Sequence, residues 1–583
     1  MRPNSTRIFV AGLIVALGVG AVLRMLWPVA DPPAHAPVGI VWHDEGAWVH
    51  NARNRALWNV WRTDEWNPMF ISPVFTALEA AAFGLFGVGT WQARTVPMAS
   101  GLASVLLLGF GLAAAAGRRA AVFGALLLAT NYVFVMWNRA ALMESTMTAF
   151  IVAGWAAYAA AMRKPAFGFL AGASVVLAWF TKAAAAFFVA AITLDAVLTM
   201  ALASLPALRE RLGVPAPDRQ WVRAGRWTIA GMAVATGLAA VLFVLPHWSE
   251  YWFYNWQMSV TRKPEYTLKA LLDRASWLPI VNDFFTRMWL LTVAGALGVI
   301  GAVARWRTVP PPRRLLAAWV LLGLLELIVH DSGNERRYVM FIPALAAFAA
   351  LVLATDDEPI LPRLDELDTA TRALLIPLLL AFSYLVIGAI ARLFFLYQIG
   401  PGVRLSAALA VAAAAVLVWR RHSAAEWLWR QKITPAAATA VVALVAAGDL
   451  AQYGQWVRHR TAFNHAASVQ LGRVLPPGTL VHGKLANGLS LENQIKPVFV
   501  GRGFGNYEDR KVRDDVRYIL TYVSPRIGYE GSVILDVLEA YPRRAVVMTF
   551  EVAEATTNYD RAALIDKFGD TPAPPIRTGR AHH

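Results

Sequence analysis

Apolar runs of membrane-spanning length recur along this chain, and they constrain its fold more than any other feature. A helix of about 20 mainly apolar residues crosses the hydrocarbon core of a bilayer. Such runs fall near 8–26, 92–116, 120–137, 144–162, 166–181, 184–203, 227–246, 286–304, 315–330, 338–354, 373–394, 403–419 and 433–452. The pattern predicts an all-α polytopic membrane protein of about thirteen transmembrane helices. Composition agrees, with 57% of the 583 residues hydrophobic and 16% charged, where soluble domains carry about 25% charged residues. The first run follows Arg2 and Arg7 as a signal peptide would, but no small-residue cleavage site follows Trp27, so we read it as a retained helix.

The net charge of +16 would suggest nucleic acid in a soluble protein. Here the positive-inside rule accounts for it. With the N-terminus inside, one inside connection carries Arg118 and Arg119, the next Arg163 and Lys164, and a third Arg209, Arg211, Arg219, Arg223 and Arg226. Later ones carry Arg305, Arg307, Arg313 and Arg314, then Arg420, Arg421, Arg430 and Lys432; the connection at 355–372 is mixed and acidic. This register puts 27–91, 138–143, 247–285 and everything after about 453 outside.

The chain therefore divides into a transmembrane domain (1–452), a small extracytoplasmic α/β domain (453–570) and a Pro-rich basic end (571–583) expected to be disordered. In the second domain, strands are expected near 479–482, 498–500, 517–523 and 545–550, and helices near 462–474, 532–540 and 560–567. The absence of cysteine excludes disulfides, Cys-ligated zinc and thiol catalysis. There is no HExxH spacing, and without a Walker A loop an ATP-driven transporter is unsupported.

Chemistry then rests on charged residues at the outer ends of the runs. His43-Asp44-Glu45-Gly46 opens the first outer loop. One carboxylate of such a pair can accept a proton while the other orients an acceptor or a cation, although a solvated acidic turn looks the same. Glu144 sits where two runs meet, an expensive place for an ionisable group unless it is used or paired, and Arg139 is a nearby partner. Lys182, Arg262 with Lys263, and Arg336 with Arg337 put positive charge on the outside, against the simple topology. A phosphate ligand accounts for them, as do anionic head groups. Trp248, Trp252 and Trp256 form an interfacial aromatic belt and, secondarily, a platform for stacking a sugar. Gly501-Arg502-Gly503-Phe504-Gly505 reads as a turn.

The order of these pieces resembles a known family. After the acidic loop come Asn67-Pro68-Met69-Phe70-Ile71-Ser72-Pro73, Phe86-Gly87 and Ala93-Arg94-Thr95-Val96-Pro97-Met98-Ala99-Ser100. The Arg139…Glu144 turn, Thr181-Lys182 and Arg337-Tyr338-Val339-Met340-Phe341-Ile342-Pro343 follow. Over residues 1–350 the series resembles GT-C fold glycosyltransferases of the bacterial aminoarabinose-transferase and protein-mannosyltransferase-like group. It departs from aminoarabinose transferases at Asn67-Pro68-Met69, at Trp48 and at Gln257, where they carry Lys-Pro-Pro, an arginine and a metal-linked histidine. The resemblance implies a multi-pass protein of the bacterial inner membrane that moves a sugar from a polyprenyl-phosphate donor to a hydroxyl acceptor (lipid, glycan or protein) on the periplasmic face, inverting the anomeric centre. It implies Asp44 as catalytic base, Glu45 and Glu144 as acceptor- or cation-orienting carboxylates, and Lys182, Arg262 and Arg337 as donor-phosphate ligands. A divalent metal ion is compatible with it. The alternative is a secondary transporter or flippase of a lipid-linked sugar, which predicts charges near mid-span.

Overall fold

The computed structural model describes residues 3–33, 40–257, 267–271, 273, 276, 285–330, 335–354, 367–393, 407–413, 416, 434–500, 506, 508–523, 539–553 and 561–570. The first expected span is α1 (Pro3–Met25). The first outer loop then folds into α2 (His43–Trp48), α3 (His50–Trp58) and α4 (Pro73–Phe86). Next come α5 (Thr90–Ala115), α6 (Arg118–Thr130), α7 (Tyr132–Asn138), α8 (Met143–Ala161), α9 (Phe167–Thr181) and α10 (Ala186–Ser204). After them stand α11 (Pro206–Leu212), α12 (Arg219–Ala239), α13 (Trp248–Trp252), α14 (Trp289–Ala304), α15 (Pro311–His330), α16 (Ile342–Ala354), α17 (Thr369–Leu393) and α18 (Pro435–Arg458).

A helix thus lies in each expected span, although about half of 403–419 is outside the described residues and only 407–413 and 416 are seen there. Length and apolarity are stricter criteria. Among the described residues, five helices are long and apolar enough to cross a membrane, six if the bent pair α6–α7 is one span. The stretch expected as one span at 120–137 bends by 63° between α6 and α7. The break has a local cause. The Asn131 side chain accepts the Phe134 N–H at 2.9 Å and so caps a new helix start. The helix expected to end the membrane domain near 452 continues to Arg458.

The bundle core is built on α6, α7, α8, α10, α15 and α16, where Trp137, Trp155 and Trp319 are almost fully buried. Helix α12 lies at the edge, and Leu238, Val241 and Leu242 stay exposed, as suits a lipid-facing surface. Trp248, Trp252 and Trp256 continue beyond it as an exposed stack, with ring centroids 5.8 Å and 5.2 Å apart.

The C-terminal part carries α19 (Phe463–Val474), β1 (Leu480–His482), α20 (Lys484–Gly488), β2 (Lys496–Val498), β3 (Tyr518–Tyr522), β4 (Ala545–Glu551) and β5 (Arg561–Asp566). They make one sheet in the order β2-β1-β3-β5-β4. β1 runs parallel to β2 and β3, while β5 pairs antiparallel with both β3 and β4. The helix expected at 560–567 is strand β5. Its Ala-Ala-Leu-Ile run is buried on both faces between β3 and β4, and a short continuous apolar run reads equally as a buried strand. The strand expected at 498–500 pairs over 496–498 instead. Most of the helix expected at 532–540 and all of 501–505 lie outside the described residues.

Helix α20, beside this sheet, docks on the first loop through two glycines. A Cβ on Gly46 of α2 would stand 1.9 Å from the Asn487 carbonyl oxygen, and one on Gly488 of α20 would stand 2.6 Å from the His43 Cα. Only bare backbones let α2 and α20 approach so closely. Arg53 of α3 reinforces the contact by donating to the Ser490, Asn493 and Ile495 carbonyls at 3.0, 2.9 and 2.9 Å. Asp31 caps α19 from outside its own domain, accepting the Phe463 and Asn464 N–H groups at 2.7 and 3.2 Å. Gly46→Ala should therefore push the two helices apart at an overpacking cost of about 1–3 kcal/mol. Limited proteolysis checks this: cleavage near residue 459 should speed up, and an unchanged rate would contradict the packing.

His482, at the end of β1, is 1% exposed and has no hydrogen-bond partner on either ring nitrogen. Burial, then Lys567 and Arg513 nearby, pull its pKa down to about 3. The unfolded chain takes up this proton near 6.5 and the folded chain only near 3, so stability falls as pH drops through that window. The slope is at most about 1.4 kcal/mol per pH unit. Hydrogen exchange of the β1 amides should accelerate between those pH values, and His482→Leu should flatten the dependence.

Candidate active site

Helix direction decides which residues meet. A five-residue connection (162–166) turns the chain from α8 to α9, so the start of α8 and the end of α9 share one end of the bundle. Glu144 at the start of α8 and Lys182 just after α9 accordingly form an ion pair of 2.5 Å. The turn Glu335–Phe341 lies between α15 and α16 at the same end and brings Arg336 into the field of Glu144. The Ser72 hydroxyl donates to the Thr181 carbonyl at 2.5 Å and ties the first loop to the end of α9. At the far ends of these helices another buried cluster joins Tyr158 to Asp195 at 2.7 Å and Arg314 to Thr199 at 2.7 Å, with Arg314 also paired to Asp195. Each of its polar groups finds a partner there, which makes it a structural clamp.

Asp44 lies over the Glu144 end. Its carboxylate pairs with Arg336 on one side and with Lys484 of α20 at 3.1 Å on the other. His43 Nε2 stands 3.6 Å away, and the Tyr522 hydroxyl lies 3.4 Å from the other ring nitrogen of His43. Burial pushes the Asp44 carboxyl up, but Arg336, Lys484 and His43 outweigh it and hold it well below the usual carboxylate range. The side chains are layered. Those of Glu144 and Asp44 are 1% and 8% exposed, whereas those of Lys182, Arg336 and Lys484 are 15%, 20% and 32% exposed. An approaching anion meets ammonium and guanidinium groups before it meets a carboxylate.

Glu45 points elsewhere. Arg94 of α5 holds it with two bonds of 2.8 Å, and the Ala141 N–H donates to it at 2.8 Å. Arg94 also reaches the Pro28 and Ala30 carbonyls at 2.9 and 2.6 Å. Adjacent helical positions do not face the same partner, so the Asp-Glu pair splits between a solvent-side site and an internal clasp.

The structure brings Asp44, Glu144 and Lys182 to one end of the bundle. Arg262 lies outside the described residues, and for Arg337 only the backbone, in the turn after Arg336, is described. Sequence reasoning assigned no role to Lys484, which has no local signal linking it to Asp44. Arg336 shared the phosphate reading with Arg337, but only Arg337 was carried to the donor site. Arg94 stood in the resembling motif without a role, yet a buried arginine at the outer end of an apolar helix calls for a carboxylate.

A divalent ion does not fit this arrangement. Among the described residues no three His, Asp or Glu side chains converge. Both Glu45 oxygens are engaged by Arg94, and the Asp44 oxygens face Arg336 and Lys484, side chains a metal would repel.

The fold and site together describe a helical membrane-type bundle with a charged cluster at one end, capped by a small α/β domain. Structures similar to the chain include ArnT from Cupriavidus metallidurans bound to undecaprenyl phosphate, at 17% identity over 98% of this chain and 100% of that one, with a TM-score of 0.46. The apo state of the same protein gives 17% identity over the same shares and a TM-score of 0.49. The archaeal oligosaccharyltransferase AglB from Archaeoglobus fulgidus, in complex with an inhibitory peptide and a dolichol-phosphate, gives 12% identity over 88% of this chain and 69% of that one, with a TM-score of 0.44. No family model and no curated protein matches the sequence.

Proposed function

We propose that the chain is an integral-membrane glycosyltransferase that moves a sugar from a polyprenyl-phosphate carrier to a hydroxyl acceptor. The observation that carries this reading is the layered cluster at Asp44. A carboxylate able to take a proton stands beneath cations able to take a phosphate, at the end of an apolar bundle able to hold a lipid tail. In the reaction, the acceptor oxygen attacks the anomeric carbon and forms the new C–O bond. The bond from that carbon to the phosphate oxygen breaks, and its electron pair leaves on the polyprenyl phosphate. Asp44 takes the acceptor proton and later gives it to solvent. Arg336 and Lys182 stabilise the charge growing on the phosphate, with Arg337 and Arg262 as further ligands. Glu144 positions Lys182 through their ion pair. Glu45 fixes the direction of α2 through Arg94 and so positions Asp44.

On this reading the N-terminus is cytoplasmic, about thirteen helices cross the inner membrane, and residues 453–570 form a domain on the periplasmic face. A transporter would place its ionisable groups near mid-span, whereas Asp44, Glu144, Lys182 and Arg336 gather at helix ends. Stereochemistry tests the displacement. The product anomer, read by NMR, should be opposite to that of the donor, and retention would exclude a single attack.

A further inference from the structure

The cations around Asp44 come from two different parts of the chain. Arg336 belongs to the helical bundle, whereas Lys484 belongs to the C-terminal α/β domain. The steps of the transferase reading above give that domain no role of its own. Its backbone nevertheless aims Lys484 at the site with little freedom. Gly483 adopts a φ of +116°, open to glycine alone at small cost, and its N–H donates to the Val498 carbonyl at 3.1 Å. Helix α20 then presses its backbone against α2 at Gly46 and Gly488. The lysine ammonium lies 3.1 Å from Asp44 Oδ1, and a third of the side chain stays open to solvent.

Charge shows what this lysine is for. Among the described side chains of the cluster, Arg336, Lys182 and Lys484 stand with Asp44 and Glu144. The cations form the exposed layer. A carboxylate gripped by two cations is also a poor base, because its charge is already neutralised. Asp44 can accept a proton only after those cations find another anion, and the cluster is open to one from the solvent side.

We propose that Lys484 is a donor-phosphate ligand supplied by the C-terminal domain, and that the phosphate takes Lys484 and Arg336 away from Asp44 and thereby frees it to act as base. This rests on the transferase reading. It makes the C-terminal domain part of the active site and couples base activation to donor binding. Phosphate and Asp44 compete for the same cations, so an empty site holds its base in check.

Competition has a signature that a structural lysine would not produce. With full-length protein in detergent and undecaprenyl phosphate as the probe, Lys484→Met should weaken binding at least about tenfold, and Lys484→Arg should largely restore it. Asp44→Asn should bind the probe several-fold tighter than wild type, although it turns over donor far more slowly, because the competing carboxylate is gone. The double variant should lose that gain. Equal affinity in wild type, Lys484→Met and Asp44→Asn would overturn the proposal and leave the transferase reading standing. If wild type itself binds no undecaprenyl phosphate, the proposal and that reading fall together. The far-UV circular dichroism of each variant, matched to wild type, keeps misfolding apart from these outcomes.

Discussion

Asp44→Asn should lower sugar transfer by about 10²–10⁴-fold, the usual contribution of a general base. The substitution keeps the volume of the side chain and removes its charge. Asparagine can still accept hydrogen bonds from Arg336 and Lys484, so helix content should not change. Stability should fall modestly. The folded-state pKa of Asp44 lies below its unfolded value, so the ionised group stabilises the fold above the ordinary carboxylate pKa and ceases to do so as pH falls through the depressed one. At neutral pH the variant lacks that contribution. Initial rates with saturating donor separate the two effects. Near-normal turnover would remove Asp44 from the mechanism.

Glu45→Ala should cost about 3–5 kcal/mol of stability, the largest loss expected from any single change at this end of the molecule. The carboxylate and Arg94 are nearly inaccessible, at 6% and 2% side-chain exposure. Truncation leaves a buried guanidinium without its counter-ion and frees the Ala141 N–H. Removing both charges is different. Glu45→Gln combined with Arg94→Met should recover a good part of the loss, because no uncompensated charge remains. Thermal melts of the single and double variants measure this coupling directly. If Glu45→Ala melts like wild type yet loses donor turnover, Glu45 belongs to the reaction rather than to the clasp.

Asp44 and Glu45 are neighbours that look equivalent in the sequence. Helical geometry separates them by about 100°, and nothing in a bare Asp-Glu pair says which of the two faces the site. The parts of the fold that were legible are those set by local pattern. Apolar runs fixed the helices, and Glu144 and Lys182 announced themselves because charge at the end of an apolar run needs a reason. Long-range partners were not legible. Lys484 reaches Asp44 only because α20 docks on α2 through Gly46 and Gly488, a contact between distant segments. Strand β5 was misread because Arg-Ala-Ala-Leu-Ile-Asp is a good helical sequence, and its pairing with β3 and β4 overrides that propensity. The bend at Asn131 was hidden in an apolar run whose hydropathy does not register a side chain that caps a helix.

Donor consumption separates sugar transfer from transport. Purified protein in nanodiscs would be given a panel of labelled polyprenyl-phosphate sugars with a membrane extract as acceptor source. Release of polyprenyl phosphate and label on the acceptor would then be followed together. One donor should be cleaved, with one sugar transferred for each phosphate lipid released. Transferase activity would be contradicted if every donor stayed intact while the same protein, in sealed vesicles, carried the whole lipid-linked sugar across the bilayer.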